Sequence, residues 1–392
     1  MNKERVNKLL NKLPMHVIII LTIIIWVVPT LGLLITSLRP PEAVGNTGWW
    51  TVFSPQNASG PYATHCAECH GADGKALPQA DLTNPELIAK YPRSLQLLAM
   101  LRKDINGQPH MGDKPLPSAQ EAADITAFLR QGEVTGSSFT FNNYIDALVG
   151  YRGRSTYTAD CAAGTQPPDI KCNLSDILNP RGMGRAFINS LLVTLPATFL
   201  PILFAAFAGY AFAWLDFKGR FLLFALLVGL QVVPLQMTLV PISRFYAQVG
   251  LNGTFLGVWL FHTGFGMPYA IYLMRNFLGT LPRDLFESAY LDGASHWTAF
   301  RQLVIPLAMP AIASLGIFQF LWVWNDLLVS LVFLGGTTPV MTYQISNMVT
   351  SLGSGWQVLT AAAFLSMLLP MIVFFSLQRY FVRGMLAGAV KG

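Results

Sequence analysis

Charge is scarce in this chain. Of its 392 residues only 12% are Asp, Glu, Lys or Arg, against 53% hydrophobic ones, and the mean hydropathy is +0.45. That balance excludes an ordinary water-soluble enzyme and implies an integral membrane protein. No G-x-x-x-x-G-K-[ST] occurs, and Gly71-Ala72-Asp73-Gly74-Lys75 lacks its spacing, so the chain has no loop with which to bind and hydrolyse a nucleotide itself. Paired pocket carboxylates and zinc-type histidine clusters are also missing. Cysteine occurs four times only, and never in an apolar stretch.

What is present is a set of long uncharged runs. No Asp, Glu, Lys or Arg lies between Lys12 and Arg39, Arg185 and Asp216, Arg220 and Arg244, or Arg244 and Arg275. Two further apolar runs extend from Pro306 to Phe333 and from Val358 to Leu377. Each reaches the roughly 20 residues a bilayer requires, which predicts six transmembrane helices. Lys3, Arg5, Lys8 and Lys12, then Lys218 and Arg220, then Arg275, Arg283 and Arg301, then Arg379, Arg383 and Lys391 fall on one side of that topology. The other side has Arg244 in its short loops and the long segment from Arg39 to Arg185. By the excess of basic residues on the cytoplasmic side, both termini are expected in the cytoplasm. The pI of about 9.1 then follows from topology and requires no nucleic acid. Met15 to Ser37 is long for a signal peptide and has no small-residue cleavage site, so it reads as a retained anchor.

Between the fourth and fifth spans the chain reads ESAYLDGASHWTAFRQLVIP, from Glu287 to Pro306. Asp284 with Glu287, after Pro282, has the form of a capping box, and Gly293 supplies the backbone freedom for a break. The expectation is a helix, a turn and a second helix. Leu285, Phe286, Ala289 and Tyr290 would form an apolar side for a groove in a partner, with Glu287 and Asp292 facing basic residues there. Glu287 can cap and dock at once. Glu287, Ala289, Gly293, Leu303, Ile305 and Pro306 fall at the spacing of the EAA loop, the cytoplasmic signature of ABC-importer permeases, with Ser288 in place of its middle alanine.

The resemblance continues from Gly182 onward. Asn189-Ser190-Leu191, Phe217-Lys218-Gly219-Arg220, Pro234-Leu235-Gln236, Trp324-Asn325-Asp326 and Leu377 to Gly384 are similar to the MalG-type carbohydrate permeases, and among them most to alpha-glucoside permeases with a long first external segment. The resemblance implies a mostly α, six-helix, type I (MetI-like) importer permease in the inner membrane. It also implies its partners: a second permease subunit, an ABC ATPase dimer and a periplasmic sugar-binding protein. Glu287, Ser288, Ala289, Asp292 and Gly293 would couple to the ATPase. The loop from Gly335 to Trp356 would reach toward the binding protein, and the tail from Ala387 toward the ATPases.

The external segment carries separate chemistry. All four cysteines lie in it, where an oxidising compartment permits both disulfides and haem attachment. Cys66-Ala67-Glu68-Cys69-His70 is C-x-x-C-H: two thiols one helical turn apart to bond haem vinyl groups, and an imidazole to bind the iron. Met111 is the candidate second axial ligand, with His110 the alternative. A disulfide between Cys66 and Cys69 without haem also satisfies the pattern. Ser118 to Arg130 reads as a helix with a Ser118–Glu121 capping box, burying Ala122, Ile125, Phe128 and Leu129 and stopping at Gly132. About Gly60 to Gln131 resembles a small, all-α class I cytochrome c, although Gly112 follows Met111 where that family usually has proline. The resemblance implies a haem c cofactor and, as a further candidate, a periplasmic redox partner. Cys161 and Cys172, in a Gly-, Pro- and Asp-rich loop with no following histidine, read as a structural disulfide.

The resulting domain reading is 1–56 for the N-terminus, first span and start of the external segment; 57–136 for the haem-type insert between Gly/Ser/Pro-containing joints; 137–185 for the rest of the segment; and 186–392 for the permease core, with its loop at 282–306. Trp49 and Trp50 serve either the split external segment or the membrane interface. Asp326 is the one formally charged residue inside a span. With Asn325 it is either an intramembrane functional site or the cap of freed backbone at a helix break. The rival function is a membrane-anchored electron-transfer cytochrome on a permease-derived scaffold. Six spans and an intact loop count against it, since an anchor needs one helix.

Overall fold

The computed structural model describes residues 3–40, 48–53, 60–71, 139–151, 156–348 and 355–389 in continuous stretches, with isolated residues between 44 and 129 in addition. The chain divides into two compact units, residues 1–144 with 350–361 and residues 145–349 with 362–392. The division groups the first helix with the C-x-x-C-H segment and does not isolate 57–136.

In the first unit, helix α1 (Lys3–Leu38) holds an apolar stretch from Pro14 to Leu38 with a mean hydropathy of 2.8. Two pieces of the external segment meet its C-terminal end. Trp49, in the short turn Trp49–Phe53, lies so close over Gly32 that a Cβ there would fall 2.6 Å from the indole nitrogen. From the far side of the segment, Asn143 Nδ2 donates to the carbonyls of Ser37 and Arg39, and the Thr140 amide donates to Leu38 O. Trp49 is therefore packed on the helix, while Trp50 stays exposed. The haem-type segment contains helices Gly60–His65 and Ala67–His70, but also a two-residue antiparallel pair, Asp104–Ile105 with Gln108–Pro109. The all-α expectation for this segment does not include that pair.

The second unit is built on α2 (Met183–Trp214), α3 (Arg220–Leu230), α4 (Leu235–Gln248), α5 (Phe255–Leu278), α6 (Arg283–Leu291), α7 (His296–Ala299), α8 (Ile305–Trp324), α9 (Leu328–Phe333) and α10 (Met341–Met348), followed by α11 (Trp356–Ala389), which runs through both units. Among the described residues, α1, α2, α11 and the stretch His296–Trp324 are long and apolar enough to cross a membrane, and α3 with α4 would make a fifth crossing bent by 98°. Helix α5 has the length at 24 residues, but His262, Thr263 and its glycines dilute its apolarity. The run from Arg220 to Arg244 is thus a bent pair rather than a straight span, because Pro234 cannot continue α3 and starts α4. The run from Pro306 to Phe333 is likewise interrupted, at Asn325–Leu327.

Helix α2 lies between α5 and α8. Small residues permit the approach: Ala205 and Ala206 are buried, and a Cβ on Gly209 would lie 2.8 Å from Met274 Cβ and 3.1 Å from the Arg275 amide. Two apolar clusters form at opposite ends of α2. One gathers Tyr210, Met274, Phe286, Phe300 and Leu315, the other Val193, Leu239, Phe261, Val329 and Phe333. The residues ahead of α2 in this unit are held by a disulfide between Cys161 and Cys172, with Cα atoms 5.6 Å apart, and Gln344 Nε2 of α10 donates to Pro180 O at 2.7 Å.

Candidate coupling loop

Residues 282–306 form a helix, a turn and a second helix. Gly293, at φ +84°, occupies the left-handed region that favours glycine, and its amide donates to Tyr290 O. The expected capping box is not formed. Pro282 occupies the cap position of α6 and no side chain caps that end; Ser288 Oγ instead donates back to Asp284 O at 2.7 Å. Proline already sets the backbone angle for helix entry and leaves Asp284 and Glu287 facing solvent. The cap that does form belongs to the second helix: Ser295 Oγ accepts from the Thr298 amide at 3.2 Å.

Aromatic rings fix the loop to α2. Phe286 is 1% exposed and stacks on Trp214 with centroids 3.9 Å apart, while Trp214 Nε1 donates to Leu278 O. Phe207 stacks on Phe300 at 4.8 Å and on Trp297 at 6.3 Å. Between them the Tyr210 and Tyr290 hydroxyls lie 3.0 Å apart, at 3.2 and 3.0 Å from His296 Nδ1. The expectation that Phe286 offers itself to a partner is therefore corrected: it fills the space under Trp214, because two flanking helices cover that side of α6. Glu287, Ser288, Asp292 and Gly293 are exposed, Ala289 is half-buried, and the apolar surface left for a partner is Leu285, Leu291 and Trp297. Leu291, at 89% exposed, is the most prominent of these. A π-helical turn, Phe300–Val304, joins α7 to α8, a local irregularity frequent at functional sites. Neither Trp214, Tyr210 and His296 nor the Ser295 cap was singled out from sequence; only Ser295-x-x-Thr298 carried a legible signal.

Asn325 and Asp326 sit at the break after α8. Asp326 Oδ2 accepts from the amides of Val329 and Ser330 at 2.9 and 3.3 Å, and Asn325 Nδ2 donates to Leu321 O. These are the freed backbone groups that a helix break creates. Across α5, the fully buried His262 places Nε2 3.8 Å from Asp326 Oδ2.

In the haem-type segment, the Ser118–Glu121 box is formed in both directions: Glu121 Oε2 accepts from the Ser118 amide and Ser118 Oγ from the Glu121 amide. The helical residues Ala122, Ile125 and Leu129 beyond it are buried, and the last two join Tyr62 and Cys66 in one apolar cluster. The C-x-x-C-H helix thus packs on the closing helix. Cys66 is buried and Cys69 exposed, both as thiols, and His70 ends the same short helix. Two thiols and an imidazole on one helix, backed by an apolar wall, fit covalent haem attachment on that face. Met111 and His110 lie outside the described residues. Among the described residues no group of three or more His, Cys, Asp or Glu side chains could hold a bare metal ion, a requirement haem iron does not share, since its porphyrin supplies four ligands.

In the rest of the external segment, burial pushes the Asp146 carboxyl up to about 6, although the Tyr157 amide donates to it at 2.8 Å. Burial, together with a hydrogen bond to Asp160, pushes the Tyr151 hydroxyl up to about 12.

Residues 187–387 match the family described as binding-protein-dependent transport system inner membrane component. The chain is 43% identical over 392 residues to the osmoprotective compounds uptake permease protein GgtD of Synechocystis sp., covering 100% of this chain and 96% of that one. It is 41% identical over 388 residues to the alpha-glucoside transport system permease protein AglG of Rhizobium meliloti, covering 96% of each. The melibiose/raffinose/stachyose import permease protein MelC of Bacillus subtilis is 30% identical over 58% of this chain and 83% of its own length. A solved bacterial ABC transporter that imports alginate is similar with a TM-score of 0.45 at 18% identity, over 61% of this chain and 89% of that one.

Proposed function

Because this chain belongs to the family of binding-protein-dependent transport system inner membrane components, we propose that it is the permease subunit of an ATP-driven importer of alpha-glucosides or related oligosaccharides. It is a transport subunit, and ATP is hydrolysed by a partner chain. Its working assembly comprises a second permease, an ABC ATPase dimer and a sugar-binding protein outside the inner membrane. In this reading the chain crosses the membrane six times, with α3 and α4 as one bent crossing, α5 as the next, and both termini in the cytoplasm.

The observation that carries the reading is the loop at 282–304, ring-stacked to α2 through Trp214 and Phe207 while Glu287, Leu291, Asp292 and Trp297 face outward. A push on that exposed tip passes to α2 and α8 through contacts that are already packed. Motion of the ATPases would therefore become tilt of the spanning helices rather than deformation of the loop. The test is ATP-dependent uptake of radiolabelled maltose by proteoliposomes holding all four kinds of subunit. Glu287→Lys is expected to abolish uptake and ATPase copurification together; uptake unaffected by that substitution would overturn the reading.

We also read the segment around Cys66, Cys69 and His70 as a c-type haem module outside the membrane, with Met111 as second axial ligand and a periplasmic redox partner. Support comes from Cys66 of the C-x-x-C-H motif, packed with Tyr62 of the preceding helix against Ile125 and Leu129 beyond the Ser118–Glu121 cap. When bound, haem supplies one-electron transfer; the chain's own part is to anchor it by two thiols, to hold an imidazole to the iron and to cover one face with apolar side chains. A Soret band surviving denaturation in the native protein and lost in Cys66→Ala would support this assignment, and its absence from protein made with a haem-attachment system would end it.

A further inference from the structure

Two neighbouring cavities in the second unit have mostly apolar walls, Leu315, Leu260 and Ile242 among them, into which aromatic rings and two amides are set. The first, of about 340 Å3, lies between α5 and α8, with Phe265, Tyr269, Gln319 and Trp322 on its walls. The second, of about 470 Å3, shares Phe265 and Tyr269 and adds Gln231, Thr238 and Tyr246 from the bent α3–α4 pair. Both volumes fall within the roughly 300–1,000 Å3 of small-molecule sites. Among the described residues, no Asp, Glu, Lys or Arg lines either one.

We propose that these cavities are two subsites for an uncharged saccharide within this subunit, with Tyr269 and Trp322 as platforms for sugar rings and Gln319 and Gln231 as hydrogen-bond partners of sugar hydroxyls. The inference rests on the importer reading and goes beyond it by assigning sugar contacts to this chain. Amides fit a polyhydroxylated ligand because each offers donors and an acceptor; Gln319 gives one N–H to Ala197 O and keeps the other and its carbonyl oxygen, groups that an acyl chain could not bond. An anionic ligand would find no cation. A cationic one would find no carboxylate, since Asp326 is taken up by the Val329 and Ser330 amides.

The walls are set from behind. Gln319 Nε2 donates to Ala197 O at 3.2 Å, and Gly266 leaves the space the amide fills, since a Cβ there would lie 2.6 Å from Nε2. Trp322 meets the buried His262 ring edge to face at 5.3 Å. His262 is itself held, with Nδ1 3.1 Å from Val258 O and Nε2 3.8 Å from Asp326 Oδ2, so it is a positioning residue whose ring orients the indole.

The experiment is maltose uptake by the complete reconstituted complex, with complex assembly measured by copurification. Tyr269→Ala, at a position already 43% exposed, and Gln319→Leu are each expected to lower the maximal uptake rate about tenfold, the effect of one lost hydrogen bond or ring contact, with assembly retained. Trp322→Ala is expected to act likewise and Trp322→Phe to restore most of the rate. Gly266→Ala is expected to impair uptake by displacing an intact amide. Full uptake in Tyr269→Ala and Gln319→Leu would overturn the inference while leaving the importer reading in place, as would a copurifying lipid lost from these variants with uptake unchanged. A native complex that moves no neutral saccharide would overturn both.

Discussion

Two connectors in the second unit solve the same problem, turning the chain between apolar helices, with different emphasis. The connector 279–304 is held chiefly by stacked rings: Trp214 on Phe286 and Phe207 on Phe300. The connector 325–341 packs Val329 and Phe333 into an apolar cluster and adds directed hydrogen bonds. Asp326 caps α9, Asn189 Nδ2 donates to Pro339 O at 2.8 Å, and Ser190 Oγ accepts from the Met341 amide at 2.9 Å. Apolar burial is non-directional and offset-stacked rings tolerate small sliding, whereas hydrogen bonds weaken steeply when misaligned. On the importer reading proposed above, the first arrangement suits an end that transmits movement and the second an end whose geometry stays fixed. The difference in exposure agrees, because the first connector has a charged and apolar exposed tip at Glu287, Leu291, Asp292 and Trp297.

The largest expected effect is on the ring-held side. Phe286→Ala removes a fully buried ring and should cost about 3–5 kcal/mol locally, read as rapid hydrogen exchange throughout Arg283–Leu291 and loss of ATPase copurification. Unchanged exchange there would mean the stack does not hold the loop. On the hydrogen-bonded side, Asp326→Ala strands two amides and should cost about 1–3 kcal/mol, read as a lowered Tm in detergent, with Asp326→Asn recovering most of it. Equal losses in both variants would place the role in the charge facing His262 rather than in the cap. Ser295→Ala should cost about 1 kcal/mol and fray only α7, seen at the Thr298 amide. A larger effect spreading into α8 would show that the two ends of the loop are mechanically one piece.

The smallest effect tests the external residues, where burial replaces both devices. Asp146 has its folded-state carboxyl raised to about 6 from 3.8. Between those values the folded form binds more protons than the unfolded one, so this group's contribution falls as pH rises from about 4 to about 6 and is level above that window. Asp146→Asn should flatten that slope in Tyr157 amide exchange, and an unaltered slope would remove the assignment to Asp146.

Much of this was legible in the residues. Uncharged runs located the long apolar helices α1, α2, α8 and α11 but not the bend at Pro234 or the break at Asn325, and Gly293 marked the turn because the left-handed backbone there strongly favours glycine. The Ser118–Glu121 box was readable because both partners lie within one turn of each other. The inward course of Phe286 was not, since periodicity defines an apolar face without saying whether a partner or the chain's own helices cover it. Nor was the missing box at Asp284, where the neighbouring proline set the entry angle first. The nearness of His262 to Asp326 joins residues 64 positions apart, and local pattern has no reach over that distance.

By itself the sequence determined the class of molecule, the family signature at Glu287 to Pro306 and the placement of all four cysteines in one segment. Those features follow from composition and short-range spacing, which act before any long-range contact forms. Only the tertiary structure decided which aromatic rings anchor the loop, which carboxylate serves the broken helix and where rings and amides converge into cavities. Each of these depends on helices distant in sequence approaching within a few ångströms, and that approach is set by close packing of small residues such as Gly209 rather than by any one segment's own preference.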